Sequence, residues 1–474
     1  MRFLVRQLVI AFSVVSASAL CGAAEFQWMT ATPDSQGMSG QKIAALRDDL
    51  AARKTTGLLI IRNDKIVCEW YAPGQSAASK HGTASMAKAI VGGVSLAVAM
   101  TDGRITPNDP AAKFIPQWGN DPRKSRITIR QLGSHTSGIE DAEADNLPHE
   151  KLTGWKGDFW KRLNPPRDPF TLARDVAPVL FDPGAKMQYS NPGIAMLTYA
   201  VTASLRDSPH KDIRTLLRER VMRPIGVPDD EWSVGYGQTS LVDGLPLVGS
   251  WGGGSYTARA VARVGRLMLR EGDWDDRQLI SRDAVRQVTH DAGTPGNCGI
   301  GWWSNNGGVY VKLPKDAFWG SGAGHQIVLV VPSLNLIVVR NGELLAPAAS
   351  EPSQYHEPVR RFLFDPLIDA VTATTESPER AQSVPHRAAW MKEARWGVMT
   401  HYLADWKARE MNERMTVEKW GMGSPRFSTE QVVKWSQGIR KQGGAITWDV
   451  PIQPSGRIAQ PFIDQLAAVG KALQ

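Results

Sequence analysis

The sequence predicts an α/β protein in which one sheet is assembled from strands near both ends of a long domain, with a mostly helical stretch inserted between them. Two observations carry the prediction. β-rich apolar runs cluster at residues 57–71 and again at 299–340, whereas residues 101–290 alternate helical periodicity with proline-broken loops. Elements with an apolar face must bury it against another layer. The two strand clusters are therefore expected side by side in one sheet, with helices packed over it.

In chain order, residues 40–53 place Ile43, Leu46 and Leu50 at helical spacing after Ser39, a suitable N-cap. A hairpin follows: Gly57 to Arg62, a turn at Asn63-Asp64, and the return strand Lys65 to Tyr71. Ala84 to Met100 is helix-favouring and nearly free of charge, so that helix should be central and buried. Thr257 caps a further periodic stretch reaching Leu269. The late strands are expected at Gly299 to Asn305, Gly308 to Leu313, Gln326 to Val331 and Leu334 to Arg340, before a final helix from Pro358 to Val371.

The flanks differ in character. Residues 1–24 have the pattern of a cleavable export signal: Arg2 and Arg6, an apolar run from Leu8 to Leu20, then Gly22, Ala23 and Ala24. That run is too short to anchor a mature chain across a bilayer. A lipidated Cys21 is the alternative, disfavoured by Leu20 where a small residue belongs. The mature protein is expected in the periplasm or medium, with no stable membrane anchor. The main domain is expected over 25–365 and a linker over 366–386, where prolines mix with a Thr/Ser/Glu cluster. A separate module then follows at 387–474, where the tryptophans Trp390, Trp396, Trp406, Trp420, Trp435 and Trp448 concentrate.

Composition excludes more than it assigns. The 474 residues are 42% hydrophobic and 22% charged, with a formal charge of +8. Lys and Arg are interspersed with acids, without the basic stripe that nucleic acid or anionic lipid would require. Oligomeric state is not legible. Cys68 and Cys298 lie in or beside strand-like runs and read as buried thiols, although an oxidising compartment would permit a bridge. His149-Glu150 and His356-Glu357 lack the second histidine of a zinc motif. No metal or cofactor is implied.

Three stretches carry chemistry. Ser85-Met86-Ala87-Lys88 puts a hydroxyl and an amine on one helix face. A serine alcohol needs a base, and a lysine desolvated by Ala87, Ala89, Ile90 and Val91 can serve. Tyr189-Ser190-Asn191, between Pro183-Gly184 and Pro192-Gly193, offers a phenol that can relay a proton and an amide that can bond lysine or substrate. Trp319-Gly320-Ser321-Gly322-Ala323-Gly324 precedes a strand, so it is not a dinucleotide loop, which must open a helix. Its glycines let backbone approach a ligand, and a backbone N–H there could join that of Ser85 around an oxyanion. His135 reads as structural within a Thr/Ser/Gly turn, and His81 as a loop residue that could line the cleft.

In this order, and with Asp109-Pro110, Phe114-Ile115-Pro116, Ile127 to Leu132, Ser134 to Gly138 and Arg223 to Gly226 between them, the motifs resemble those of the serine β-lactamase and penicillin-binding-protein superfamily. The likeness is to its class C-like branch, over residues 30–370. The resemblance implies an antiparallel sheet flanked by helices with an inserted, mostly helical subdomain. It implies an acyl-enzyme on Ser85 and proton transfer by Lys88 and Tyr189. It further implies that Asn191 and Gly322 contact substrate and that Ala323 supplies an oxyanion N–H. The sequence departs at Gly320, where penicillin-recognising members carry lysine or histidine to meet a carboxylate. That departure favours a small ester or amide substrate over the alternatives, a β-lactam or a D-Ala-D-Ala peptide. A third alternative is a binding protein that keeps the fold. In the tail, Trp390 to Tyr402 and Gly443 to Pro451 resemble the opening and closing strands of α-L-fucosidase-like glycosidases. About 40 residues separate them, where a complete barrel needs about 250. A truncated, non-catalytic segment is expected, and His401, Asp405 and Asp449 are not assigned chemistry.

Overall fold

Ser39 closes the first turn of α1 (Gly40–Ala52) by accepting from the Lys42 N–H at 3.4 Å, and Ile43, Leu46 and Leu50 form its buried stripe. The computed structural model describes residues 26–144, 147–296, 298–347, 355–372, 397–401, 425, 427–441, 447–451 and 460–472. The expected export signal, and most of the expected linker, lie outside the described residues. The chain divides into two compact units, Met1–Ala373 and Thr374–Gln474.

Seven strands build the sheet of the first unit: β1 (Met29–Thr30), β2 (Thr55–Arg62), β3 (Lys65–Tyr71), β4 (Trp303–Ser304), β5 (Phe318–Gly322), β6 (Gln326–Val331) and β7 (Leu336–Gly342). Their order is β1-β3-β2-β7-β6-β5-β4. The N-terminal hairpin thus pairs directly with the late strands, with Ile60 opposite Val338. Asn63 and Asp64 both take positive φ, 53° and 59°, which matches the turn to the twist of β2 and β3. One strand departs from the antiparallel expectation. β1 joins β3 in parallel, because the chain crosses over through α1 before β2 and β3 form.

Alternation sorts the strand residues onto two cores. Leu58, Ile60, Leu329 and Val338 pack under α1 and the terminal helix segments over 357–370, whereas Leu59, Ile61, Val328 and Val339 face the helical mass. Both faces are covered, so these strands read as continuous apolar runs. The helical face carries α2 (Ala84–Thr101), α3 (Asn191–Ser204) and α4 (Ala258–Leu269). α2 is long and apolar enough to cross a membrane, but it runs buried through the core.

Three expectations are corrected. Of Gly299 to Asn305, only Trp303–Ser304 is strand, since Gly301 takes φ 80° and turns its N–H to Gly133 O. Gly308 to Leu313 is a loop. The Asn305 amide donates to the carbonyls of Tyr310, Leu313 and Pro314 and draws the segment into a knot, leaving Val311 95% exposed. The first residues of the expected linker are not linker-like, because Asp365–Ala370 is helical and Ala370 O accepts from Ser39 N. In the second unit, strands Gly397–His401 and Thr447–Pro451 pair in parallel, and helices Thr429–Lys441 and Gln460–Ala472 share the buried Val432 and Val469. Asp405 lies outside the described residues.

Leu329→Ala, at the centre of β6, should cost about 2–5 kcal/mol and lower the unfolding midpoint. Val311→Ala should stay within about 0.5 kcal/mol. A comparable loss for Val311 in denaturant unfolding would return Gly308 to Leu313 to the sheet.

Candidate active site

The turn that carries Ser85 is built against its neighbours. Ala84 adopts φ 46°, a conformation that costs a non-glycine residue about 1–3 kcal/mol and persists only where surroundings impose it. The imposing element is a strap, Trp251 to Thr257. Thr83 N donates to Gly254 O at 3.1 Å and Thr83 Oγ1 to Gly253 O at 2.6 Å, while Lys80–Gly82 pairs with Ser255–Thr257. Ser85 then sits in the first turn of α2, half-buried and open to the cleft.

One helical turn on, Lys88 is 4% exposed. Its Nζ lies 3.0 Å from Ser85 Oγ and donates to Asn191 Oδ1 at 2.8 Å and to the Trp251 carbonyl at 2.5 Å. Burial pushes this amine down to about 7, against the fields of Asp141 and Glu143, which act to raise it. Tyr189 donates its hydroxyl to Ser85 Oγ at 2.8 Å, and burial holds that phenol well above its ordinary range. The structure therefore brings Ser85, Lys88, Tyr189 and Asn191 into one hydrogen-bonded cluster. Tyr189 and Ser190 are loop, as expected. Ser190 caps α3 through the Gly193 N–H, which places Asn191 at the helix start.

Gly322 and Ala323 stand on the other side of Ser85. A Cβ on Gly322 would lie 2.3 Å from Thr83 O and 3.0 Å from Ser85 N, so only glycine lets the end of β5 come this close. Ala323 follows, exposed, in the turn to β6. β4 pairs only with Phe318 and Trp319, which leaves the outer edge of residues 320–322 without a strand neighbour among the described residues. Gly320 is equally constrained: a Cβ there would meet the Ala89 Cβ at 2.9 Å, Val328 at 3.1 Å and Met86 at 3.2 Å.

Sequence reasoning missed three residues. Asp141 accepts from both N and Nδ2 of Asn191, at 2.8 and 3.0 Å. A carboxylate accepts only, so it turns the Asn191 NH₂ toward itself and the Oδ1 toward Lys88. Trp251 contributes a carbonyl, for which the Gly252–Gly254 run beside it was the only signal. Ser321 lines the cleft with a buried hydroxyl that has no hydrogen-bond partner among the described residues; it is the middle letter of the glycine motif. The histidines are structural. His135 lines the cleft but accepts from Ser190 N through Nδ1 and packs its ring 4.5 Å from Tyr189, and burial pushes it down to about 3. His81 packs beside Thr56 and Gly57. His325 turns its Nδ1 to Leu345 N, so it does not replace a basic residue at Gly320.

Two outcomes follow. Asp141 stabilises the Lys88 ammonium, so Asp141→Asn should lower the lysine further and move the acidic limb of the acylation pH–rate profile to lower pH. Gly320→Ala, which pushes a methyl into α2, should lower the unfolding midpoint by an amount equivalent to about 1–3 kcal/mol.

Comparison with known proteins identifies the family and the fold. The family model described as Beta-lactamase matches residues 43–356. The 6-aminohexanoate-dimer hydrolase of Paenarthrobacter ureafaciens is 23% identical over 255 residues, 52% of this chain and 60% of that protein. The chain thus spans less than two thirds of that relative. A structure described as a 6-aminohexanoate-dimer hydrolase from Bacillus anthracis aligns with TM-score 0.54 at 18% identity, covering 72% of this chain and 87% of that one. A structure described as a β-lactamase from Bacteroides dorei aligns with TM-score 0.52 at 17% identity, covering 69% and 99%. Likeness at this identity concerns the fold. The family match takes in the nucleophile turn, the tyrosine loop and the glycine strand together, and the chain belongs to the β-lactamase family of serine hydrolases.

Proposed function

We propose that this protein is an exported serine hydrolase that cleaves a small ester or amide through an acyl-enzyme on Ser85. The observation that carries the reading is the placement of Ser85 Oγ between Lys88 Nζ, at 3.0 Å, and Tyr189 OH, at 2.8 Å.

The electrostatics favour Lys88 as the base. Burial drives the amine toward its neutral form and the phenol away from its ionised form. A neutral amine has two N–H donors, and Asn191 Oδ1 and Trp251 O accept both, leaving the lone pair for the Ser85 proton. Ser85 Oγ then attacks the substrate carbonyl carbon as its proton passes to Lys88. The N–H groups of Ser85 and Ala323 hold the resulting oxyanion. On collapse the bond to the leaving group breaks, and that group takes its proton through Tyr189, which is replenished from Lys88. Attack of water on the ester carbon, with the proton path reversed, releases the acid and restores Ser85.

Substrate class follows from what faces the cleft. Ser321 lines the cleft with a buried hydroxyl that has no hydrogen-bond partner among the described residues, and position 320 is a glycine with no charge to receive a substrate carboxylate. A relative named as a 6-aminohexanoate-dimer hydrolase supports an amide or ester substrate. Export rests on the composition of residues 1–24.

The test is mass spectrometry of the protein after a fluorophosphonate, beside Ser85→Ala and Lys88→Ala, with turnover of p-nitrophenyl esters. A single adduct on Ser85 is expected, absent in Ser85→Ala, with esterase activity falling about 10²–10⁴-fold in Lys88→Ala. Activity should rise with pH through the region near 7 as Lys88 loses its proton. Efficient acylation by penicillin would favour the β-lactam reading. No adduct on folded protein would favour a binding role.

A further inference from the structure

The turn that carries Ala323 is held by more bonds than a surface hairpin needs, and one of them falls on the Gly322–Ala323 peptide itself. The Tyr355 hydroxyl donates to Gly322 O at 2.8 Å and accepts from His325 N at 3.4 Å, spanning the turn from its inner side. Leu345 N donates to His325 Nδ1 at 3.0 Å, which leaves the ring proton on Nε2, 3.1 Å from the Tyr355 carbonyl. Residue 355 is therefore pinned to His325 by both backbone and side chain. From the sheet side, the fully buried Arg340 donates to Gly324 O at 2.6 Å, His325 O at 3.0 Å and Thr55 Oγ1 at 3.0 Å. No carboxylate pairs with it among the described residues, so its guanidinium is given over to fixing carbonyls.

We infer that Tyr355 is a positioning residue of the oxyanion hole, acting through the Gly322–Ala323 peptide. The inference rests on the acyl-enzyme reading above. In a trans peptide the C=O and N–H point in opposite directions. A hydroxyl that holds Gly322 O on the inner side therefore aims the Ala323 N–H outward, along the unpaired edge of β5 and toward the carbonyl that Ser85 attacks. The same bond polarises the peptide and strengthens its N–H as a donor. Because a Gly322 Cβ would stand 3.0 Å from Ser85 N, a small rotation of this peptide changes the separation of the two oxyanion donors directly. Tyr355 makes no hydrogen bond to Ser85 or Lys88 among the described residues, and its direct hold on the site is the bond to Gly322 O.

The experiment compares the full chain with Tyr355→Phe, which keeps the ring against His325 and His356. Turnover of a p-nitrophenyl ester is measured per Ser85 titrated with fluorophosphonate, and the carbonyl stretch of a ¹³C-labelled acyl-enzyme is recorded. Removing an oxyanion donor outright costs about 10²–10³-fold, so mis-aiming one should lower kcat on the order of tenfold with KM unchanged. The acyl carbonyl band should move to higher frequency as its hydrogen bond weakens. Incorporating 3-fluorotyrosine at 355, a stronger donor in the same shape, should move it lower. If Ser85 is labelled but kcat per site and both bands match wild type, Tyr355 is only a packing residue and the inference fails, even with a lower melting temperature. If the wild-type chain takes no label at Ser85, the hydrolase reading itself falls and the inference with it.

Discussion

Everything at this site depends on keeping an amine inside the protein without a dedicated counter-charge. Lys88 is buried between α2 and the start of α3, and its polar neighbours are a hydroxyl, an amide oxygen and a backbone carbonyl. Such a group is expensive to bury charged and tolerable neutral. The fold could have paired it closely with Asp141. Instead Asp141 is held one residue away, on the far side of Asn191, where it orients the amide and adds only a field. That spacing keeps the lysine near the neutral range. A carboxylate in direct contact would have stabilised the ammonium and removed the neutral amine that the proposed mechanism uses as base.

The same requirement explains why the site draws on four distant stretches. Ser85 and Lys88 come from one helix, but the acceptors for the amine come from residues 191 and 251. The Trp251 strap does two jobs at once. Its carbonyl receives a Lys88 proton, and the glycines after it bond Thr83 and hold Ala84 in its left-handed conformation, which fixes the Ser85 backbone. The position of Ser85 and the state of Lys88 are therefore mechanically linked. A distortion of residues 251–254 would disturb both.

What could be read from the sequence follows from where information resides in side chains. Ser85, Lys88, Tyr189 and Asn191 were legible because spacing and flanking prolines and glycines constrain them locally. The hairpin, α1 and α4 were legible through periodicity and caps. The Trp251 carbonyl could not be, since every residue has one. Asp141 matters through a partner 50 positions away, a relation no local pattern records. The misread strand at 308–313 has the right alternation, Val309, Tyr310 and Val311. Asn305 overrides it by satisfying that backbone with a side chain. β1 is two residues long, too short for any period.

The absence of a basic residue at Gly320 is usually a statement about substrate, but here it is also one about packing. β5 lies so close beneath α2 that a Cβ at Gly320 would already press on Ala89 and Met86, and one at Gly322 on the Ser85 turn. A lysine at position 320 would have to begin by pushing α2 away, and α2 carries both Ser85 and Lys88. The strand can therefore sit close enough to set its Ala323 N–H beside that of Ser85, or it can carry a long basic side chain at its first motif position after a change in the helix–strand distance. In this chain Gly320 and Gly322 keep β5 close to α2. Under the proposed function, substrate would be met by the outer edge of β5, which has no strand neighbour at residues 320–322 among the described residues, and by the Ser321 hydroxyl, groups that bind an acyl carbonyl and its neighbours without asking for a carboxylate.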